Sequence, residues 1–343
     1  MIGNSTRRNY RGCAGRPWSS STIHVRSAAV LLVAGAMCLS ATACKLSDTP
    51  TCVRVTEENW SYRGVAGVRL ITDHFDIHTT VRDDELRSAL PGFLEACHAE
   101  YSSLVHVPDV ESTKRLDVFL FQSRQEWEHF TRTRFPQRQA MYRRIRSGGY
   151  AAGDVCVCYA LRDRGQTLGV LAHEGMHQYL SRHISAPLPA WLNEGLAAYC
   201  EAVDLAGDTP RFTPQRNLFR MNSLREALAE GRLIPLGELL NTDAGTIVMQ
   251  GESQRTRTYY AQSWALIAYL RHGADGSYAK RFDNLLADLL DGSFQINAQA
   301  ARLTADSPAT ATTGESLFRF YFGDDVSAFE AGYVGYLHEV ASM

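Results

Sequence analysis

Apolar and polar positions alternate through VAGVRLITDHFDIHTT, residues 65–80, and that period of two predicts a strand or hairpin. The period then lengthens. From Asp83 to Ser103, Leu86, Leu90, Phe93, Leu94 and Cys97 fall on one side of a predicted helix, with Pro91 a weak point near its middle. RLDVFLFQS, residues 115–123, reads as a compact buried strand. Ser123 opens a helix through Phe130, with Glu126 three residues on completing a capping box. GGYAAGDVCVCYAL, residues 148–161, reads as one further strand with glycines at its start, where a ligand or another chain could approach closely. From Gln166 onward helical spacing dominates, broken by turn-forming stretches such as AGDTP and HGADG. A strand-rich first half ahead of a helical second half predicts one α+β domain with two lobes and a site in the cleft between them.

The first 43 residues stand apart. They carry five arginines (Arg7, Arg8, Arg11, Arg16, Arg26) and no acid, followed by the apolar run AAVLLVAGAMCLSATA. That run is shorter than the roughly 20 residues of a membrane span but suits the core of a secretion signal. Ala41, Thr42 and Ala43 ahead of Cys44 resemble a bacterial lipobox, which implies that Cys44 becomes the lipidated first residue. Simple cleavage after Ala43 would give a secreted protein instead. The arginine pair in STRRNYR faintly resembles a twin-arginine signal, although it lies far ahead of the apolar run. The expected organisation is a signal over 1–43, a tether over 44–64 and one domain over 65–343. The protein is then exported to the cell envelope and touches membrane through its lipid anchor only.

Removing the signal leaves 30 basic against 37 acidic side chains, so the exported part is acidic. That balance gives no basic stripe for nucleic acid. Of eight cysteines, Cys13 and Cys38 leave with the signal and Cys44 would carry lipid; Cys52, Cys97, Cys156, Cys158 and Cys200 remain, an odd number. Cys156 and Cys158, two apart on a strand, point the same way and are poorly set to bond to each other.

The chemistry concentrates in LAHEGMHQYL, residues 171–180. On a helix, His173 and His177 lie on one face a turn apart, and Glu174 sits beside them without having to bind the same ion. This is the HExxH arrangement, two metal ligands and a general base on one rigid element. A catalytic zinc needs a third protein ligand and an open position. PLPAWLNEGLAAYCEA follows, with Pro189 at a helix start and Glu194 on an apolar face between Leu192 and Leu196. A buried carboxylate there requires a cation, either the metal or an arginine such as Arg182.

HEGMH followed by WLNEGLAAYCE resembles the gluzincin branch of zinc metallopeptidases, especially the aminopeptidase group and the peptidase-MA-like family. The resemblance implies a thermolysin-like zincin, with a strand-rich upper lobe, an active-site helix and a helical lower lobe. It implies one Zn2+ held by His173, His177 and Glu194, Glu174 as the base that activates water, and Glu201 as a carboxylate orienting a ligand histidine. TYYAQSWALIAYL resembles the segment that carries the family's transition-state tyrosine, which assigns that role to Tyr260, with Tyr259 as the rival. The substrate would be a peptide or protein. One departure stands out: GGYAAGDVCVCY occupies the place of the aminopeptidases' Met-Glu-Asn segment and lacks its glutamate, so action on free amino ends is not implied. The alternative is a non-catalytic surface lipoprotein whose metal site stabilises a binding scaffold. His183 reads as a solvated helix end, Arg255 and Arg257 as surface charges or a carboxylate clamp, and His74 with His78 as strand residues without a metal.

Overall fold

The computed structural model describes residues 8–11, 53–107, 114–142, 144–145, 148–205, 210–242, 253–293, 313–323 and 325–343. They form a mixed α+β fold. Its sheet has seven strands: β1 (Arg8–Arg11), β2 (Arg54–Tyr62), β3 (Val65–Ile71), β4 (Phe75–Thr79), β5 (Leu116–Phe121), β6 (Gly149–Ala152) and β7 (Val155–Tyr159). Their order is β1-β2-β3-β4-β5-β7-β6; β4, β5 and β7 run parallel and the remaining pairs are antiparallel. A chain cleaved ahead of Cys44 would lack β1. Residues 54–62, inside the stretch expected to be tether, belong to the sheet.

The stretch that reads as a single strand from Gly149 to Tyr159 is a hairpin. Gly153 takes φ +59°, a left-handed conformation that glycine adopts without steric cost, and folds β6 back along β7. Alternation along β7 divides the two faces. Cys156 and Cys158 look toward α1 (Asp84–Val105) and α4 (Arg164–His183), whereas Val157 and Tyr159 look toward α2 (Arg124–Arg134). α1 runs unbroken through Pro91, which is buried with Leu86, Leu90, Phe93, Leu94 and Cys97. α2 begins with the expected capping box of Ser123 and Glu126, and its Trp127 donates from Nε1 to the carbonyl of Val157 at 3.0 Å. The short α3 (Gln139–Tyr142) lies on the same face.

Among the described residues beyond α4, the regular structure is helical apart from the two-stranded ribbon of β8 (Val203–Asp204) and β9 (Arg211–Phe212). Its helices are α5 (Ala190–Tyr199), α6 (Leu218–Ala229), α7 (Leu236–Asn241), α8 (Gln254–His272), α9 (Ala279–Asp291), α10 (Thr313–Phe322) and α11 (Val326–Ser342). α8 is the buried axis: Trp264, Leu266, Ile267 and Leu270 have no solvent exposure. α5 approaches it so closely that a Cβ on Gly195 would stand 2.7 Å from Ile267 Cγ1 and 2.8 Å from the Ser263 carbonyl. Among the described residues no helix is long and apolar enough to cross a membrane. The four cysteines among them, Cys97, Cys156, Cys158 and Cys200, are free, with Cys156 and Cys158 sulfurs 3.7 Å apart. Cys44 and Cys52 lie outside the described residues, as does the signal except for 8–11.

Candidate metal centre

α4 carries both histidines because its apolar stripe fixes its rotation. Leu168, Leu171, Ala172, Met176, Tyr179 and Leu180 are buried. Asp163 caps the first turn by accepting from the Gln166 amide at 2.7 Å. Behind the helix, the Tyr101 hydroxyl donates to the Ala172 carbonyl at 2.7 Å and ties α4 to α1. At its C-terminal end Arg182 bonds the Asp154 carboxylate and the Lys114 and Arg115 carbonyls. Arg182 is therefore not the partner of Glu194.

That leaves Glu194 facing the histidines. Its Oε2 lies 3.4 Å from His173 Nε2 and 3.3 Å from His177 Nε2, and the two imidazole nitrogens lie 3.1 Å apart. Glu194 Oε2 is buried and has no hydrogen-bond partner. Ligand atoms around a tetrahedral zinc with bonds of about 2.0–2.1 Å stand about 3.3–3.4 Å apart. The observed triangle has that size, and its donors, two imidazole nitrogens and one carboxylate oxygen, suit a divalent transition-metal ion such as zinc. The buried cluster of His173, His177 and Glu194 can hold a metal ion, and among the described residues it has three members.

The outer nitrogens are also held. His173 Nδ1 meets Glu201 Oε1 at 2.7 Å, and His177 Nδ1 meets Asn193 Oδ1 at 3.1 Å. With each Nδ1 engaged by a carboxylate or amide oxygen, both Nε2 atoms are directed into the cluster, where loss of a proton would free them to bind a metal. Glu201 is gripped in turn. Arg220 Nε donates to its Oε2 at 2.8 Å, the guanidinium's second arm bonds Oε1, and Asn217 Nδ2 donates to Oε2 at 3.0 Å. Burial opposes the Glu201 charge, but Arg220 and His173 outweigh it and hold the carboxyl at about 2. Burial likewise opposes a charged His173, yet Glu194 and Glu201 push its pKa up to about 10. Glu194 lies well below the usual carboxylate range because the two histidines overcome its burial.

Glu174 sits against the β6 edge of the sheet, where the Ala151 amide donates to its carboxylate; burial raises its pKa. Tyr260, on α8, has its ring centroid 6.0 Å from that of His173. Arg220 lies over the same ring, with Cζ 5.0 Å from the centroid. Burial and the Glu194 charge raise the Tyr260 pKa well above its ordinary value, so the phenol keeps its proton. Tyr259, its rival, is fully buried in the core.

The remaining candidates lie elsewhere. His183 ends α4 half-buried, packed 4.4 Å from the Tyr179 ring. Arg255 forms an ion pair with Glu238. His74 stacks on His98 and bonds Glu95, while His78 stacks on Phe119. Three residues that position the cluster, Asn193, Asn217 and Arg220, are not among the residues singled out by sequence. Asn193 precedes Glu194 within the helix motif and is within reach of a helical-wheel reading. Arg220 and Asn217 belong to no motif, and only the fold returns them to Glu201.

A family model described as "Protein of unknown function (DUF1570)" matches residues 167–286, about a third of the chain, from within α4 to within α9. The match contains every residue of the cluster and its supports. Neither the curated proteins nor the solved structures yield a match.

Proposed function

We propose that this protein is a zinc-dependent peptidase of the gluzincin type. The observation that carries the proposal is the triangle of His173 Nε2, His177 Nε2 and Glu194 Oε2, with edges of 3.1, 3.3 and 3.4 Å and an otherwise unpartnered buried carboxylate oxygen. A zinc ion held by these three would supply Lewis acidity and lower the pKa of water toward about 7.

The chain's own groups account for the rest of the chemistry. Glu174, raised by burial, takes the proton of the attacking water and passes it to the leaving amine nitrogen. Tyr260, still protonated, donates its O–H to the oxygen that gains charge in the tetrahedral intermediate. Glu201 and Asn193 keep the imidazoles oriented, so no reorganisation is needed during the reaction. The edge of β6, unpaired among the described residues, offers backbone groups to an extended peptide beside Glu174. The sheet half and the helical half correspond, in this proposal, to the upper and lower lobes of a thermolysin-like zincin.

The proposal includes export. By its sequence pattern the protein is a lipoprotein anchored through Cys44 in the cell envelope, acting on peptide or protein substrates there. Glu174→Gln should retain zinc and lose at least about 100-fold in turnover on unfolded protein, the scale of general-base catalysis. Equal cleavage by wild type and variant would reject the role. Stoichiometric zinc with no cleavage of any unfolded substrate would favour the non-catalytic scaffold.

A further inference from the structure

An unusual charge distribution lies on the face of the sheet opposite the metal cluster. Residues 124–146 contain seven arginines, two glutamates and no other lysine or aspartate, in a chain that is acidic beyond its first 43 residues. Arg132 and Arg134 on the last turn of α2, and Arg138 and Arg144 around α3, are exposed. Arg63, at the turn between β2 and β3, is exposed too, and it acts with Arg132 on Tyr62 and His129, whose side chains share a 2.7 Å hydrogen bond. Arg63, Arg132 and Arg134 form no ion pair among the described residues, although carboxylates are abundant elsewhere on the surface. Such a face is commonly only solvated. Here it adjoins the strand edge that borders the cluster.

β6 connects the two features. Tyr150 points to the arginine side: its hydroxyl lies 3.0 Å from Thr131 Oγ1, one residue before Arg132 on α2, and its ring stacks on Tyr142 at 3.8 Å. Gly149 and Ala151 point to the α4 side, where the Ala151 amide reaches Glu174. A peptide added to this edge turns successive side chains to opposite faces. One set would line the metal cluster and the alternate set would meet the arginines.

Resting on the peptidase reading, we propose that the substrates are extended polypeptides with acidic side chains at alternate positions flanking the scissile bond, recognised by Arg132, Arg134 and Arg138. Arginine suits this task, because its planar fork matches a carboxylate and stays charged at any physiological pH. Loss of three exposed ion pairs of ordinary strength corresponds to about tenfold in discrimination.

Two measurements on the full chain test the proposal. The cleavage-site profile of the zinc-loaded protein on a proteome-derived peptide library should show aspartate and glutamate enriched at alternate positions. The R132E/R134E/R138E variant should reverse that preference toward lysine and arginine. Cleavage with no acidic enrichment, or an enrichment untouched by the reversal, overturns the proposal and leaves the peptidase reading standing. Fluorescence anisotropy with the Glu174→Gln variant tests the surface apart from catalysis. Polyglutamate should bind about tenfold tighter than polylysine, and the preference should vanish with charge reversal and fade with salt. Equal binding of the two polymers, or tighter binding of duplex DNA or anionic phospholipid vesicles than of polyglutamate, overturns the proposal even if peptides are cleaved. Polyglutamate preference without cleavage by the wild type sustains the surface and sinks the peptidase reading.

Discussion

Replacing Arg220 with methionine removes a charge that never meets the metal cluster, yet it should weaken zinc binding. Arg220 is 9 % exposed, and the Glu201 carboxylate depends on it: without the guanidinium, only Asn217 at 3.0 Å and His173 at 2.7 Å remain. Removing one partner of a buried ion pair costs about 3–5 kcal/mol, because the other charge stays buried and uncompensated. Glu201 would then rise from about 2 toward protonation, and a neutral carboxyl orients His173 less firmly. Losing such an orienting contact weakens a metal about 10–100-fold. Urea unfolding of the metal-free protein and zinc competition against a chromophoric chelator read the two effects separately. Arg220→Lys should fall between wild type and Arg220→Met, since it keeps the charge but not the two-armed grip. The double variant R220M/E201Q should recover much of the lost stability, as no orphan charge remains, while zinc stays weak. An Arg220→Met variant that loses less than about 1 kcal/mol, or a double variant no more stable than the single, would refute this reasoning.

Four further outcomes rest on the same geometry and electrostatics. Tyr260→Phe should lower kcat about 10²–10³-fold in steady-state assays with little change in KM or zinc content, the pattern of a donor used in the transition state. Zinc affinity should climb with pH beyond the range of ordinary histidines: because His173 is pushed up to about 10 and His177 is raised as well, zinc displaces protons there, so log affinity should keep rising by at least about one unit per pH unit above 6.5. The same group makes metal-free stability full below pH 6.5 and erodes it as pH rises through about 10; a zinc titration that flattens at pH 6.5 contradicts both statements. Gly195→Ala should destabilise the fold by about 1–3 kcal/mol in urea, because its Cβ would stand 2.8 Å from a backbone carbonyl and push α5, with Glu194, away from α8.

The cluster is legible in the sequence where chemistry follows helix periodicity. His173 and His177 need only a four-residue spacing, and Glu194 is betrayed by a carboxylate on an apolar face. Ser123 with Glu126 marks the start of α2 for the same local reason. Arg220 cannot be read this way. It lies between Phe219, 62 % exposed, and Met221 in a helix with no distinctive pattern, and its meaning arises from packing against a residue 19 positions earlier. The β6–β7 hairpin reads as one strand because its residues are mostly small or apolar and only Gly153 marks the turn. The arginine-rich face is concealed by net charge, which averages over surfaces that never meet.

In the proposed centre, two imidazoles and one carboxylate converge on a single zinc ion that retains a place for water. Diffraction data collected on either side of the zinc absorption edge, from crystals of the zinc-loaded chain, test it directly. One anomalous peak per chain is expected, bonded to His173 Nε2, His177 Nε2 and Glu194, with the remaining position open to solvent. No peak among these three side chains, or a fourth protein group closing that position, would contradict it.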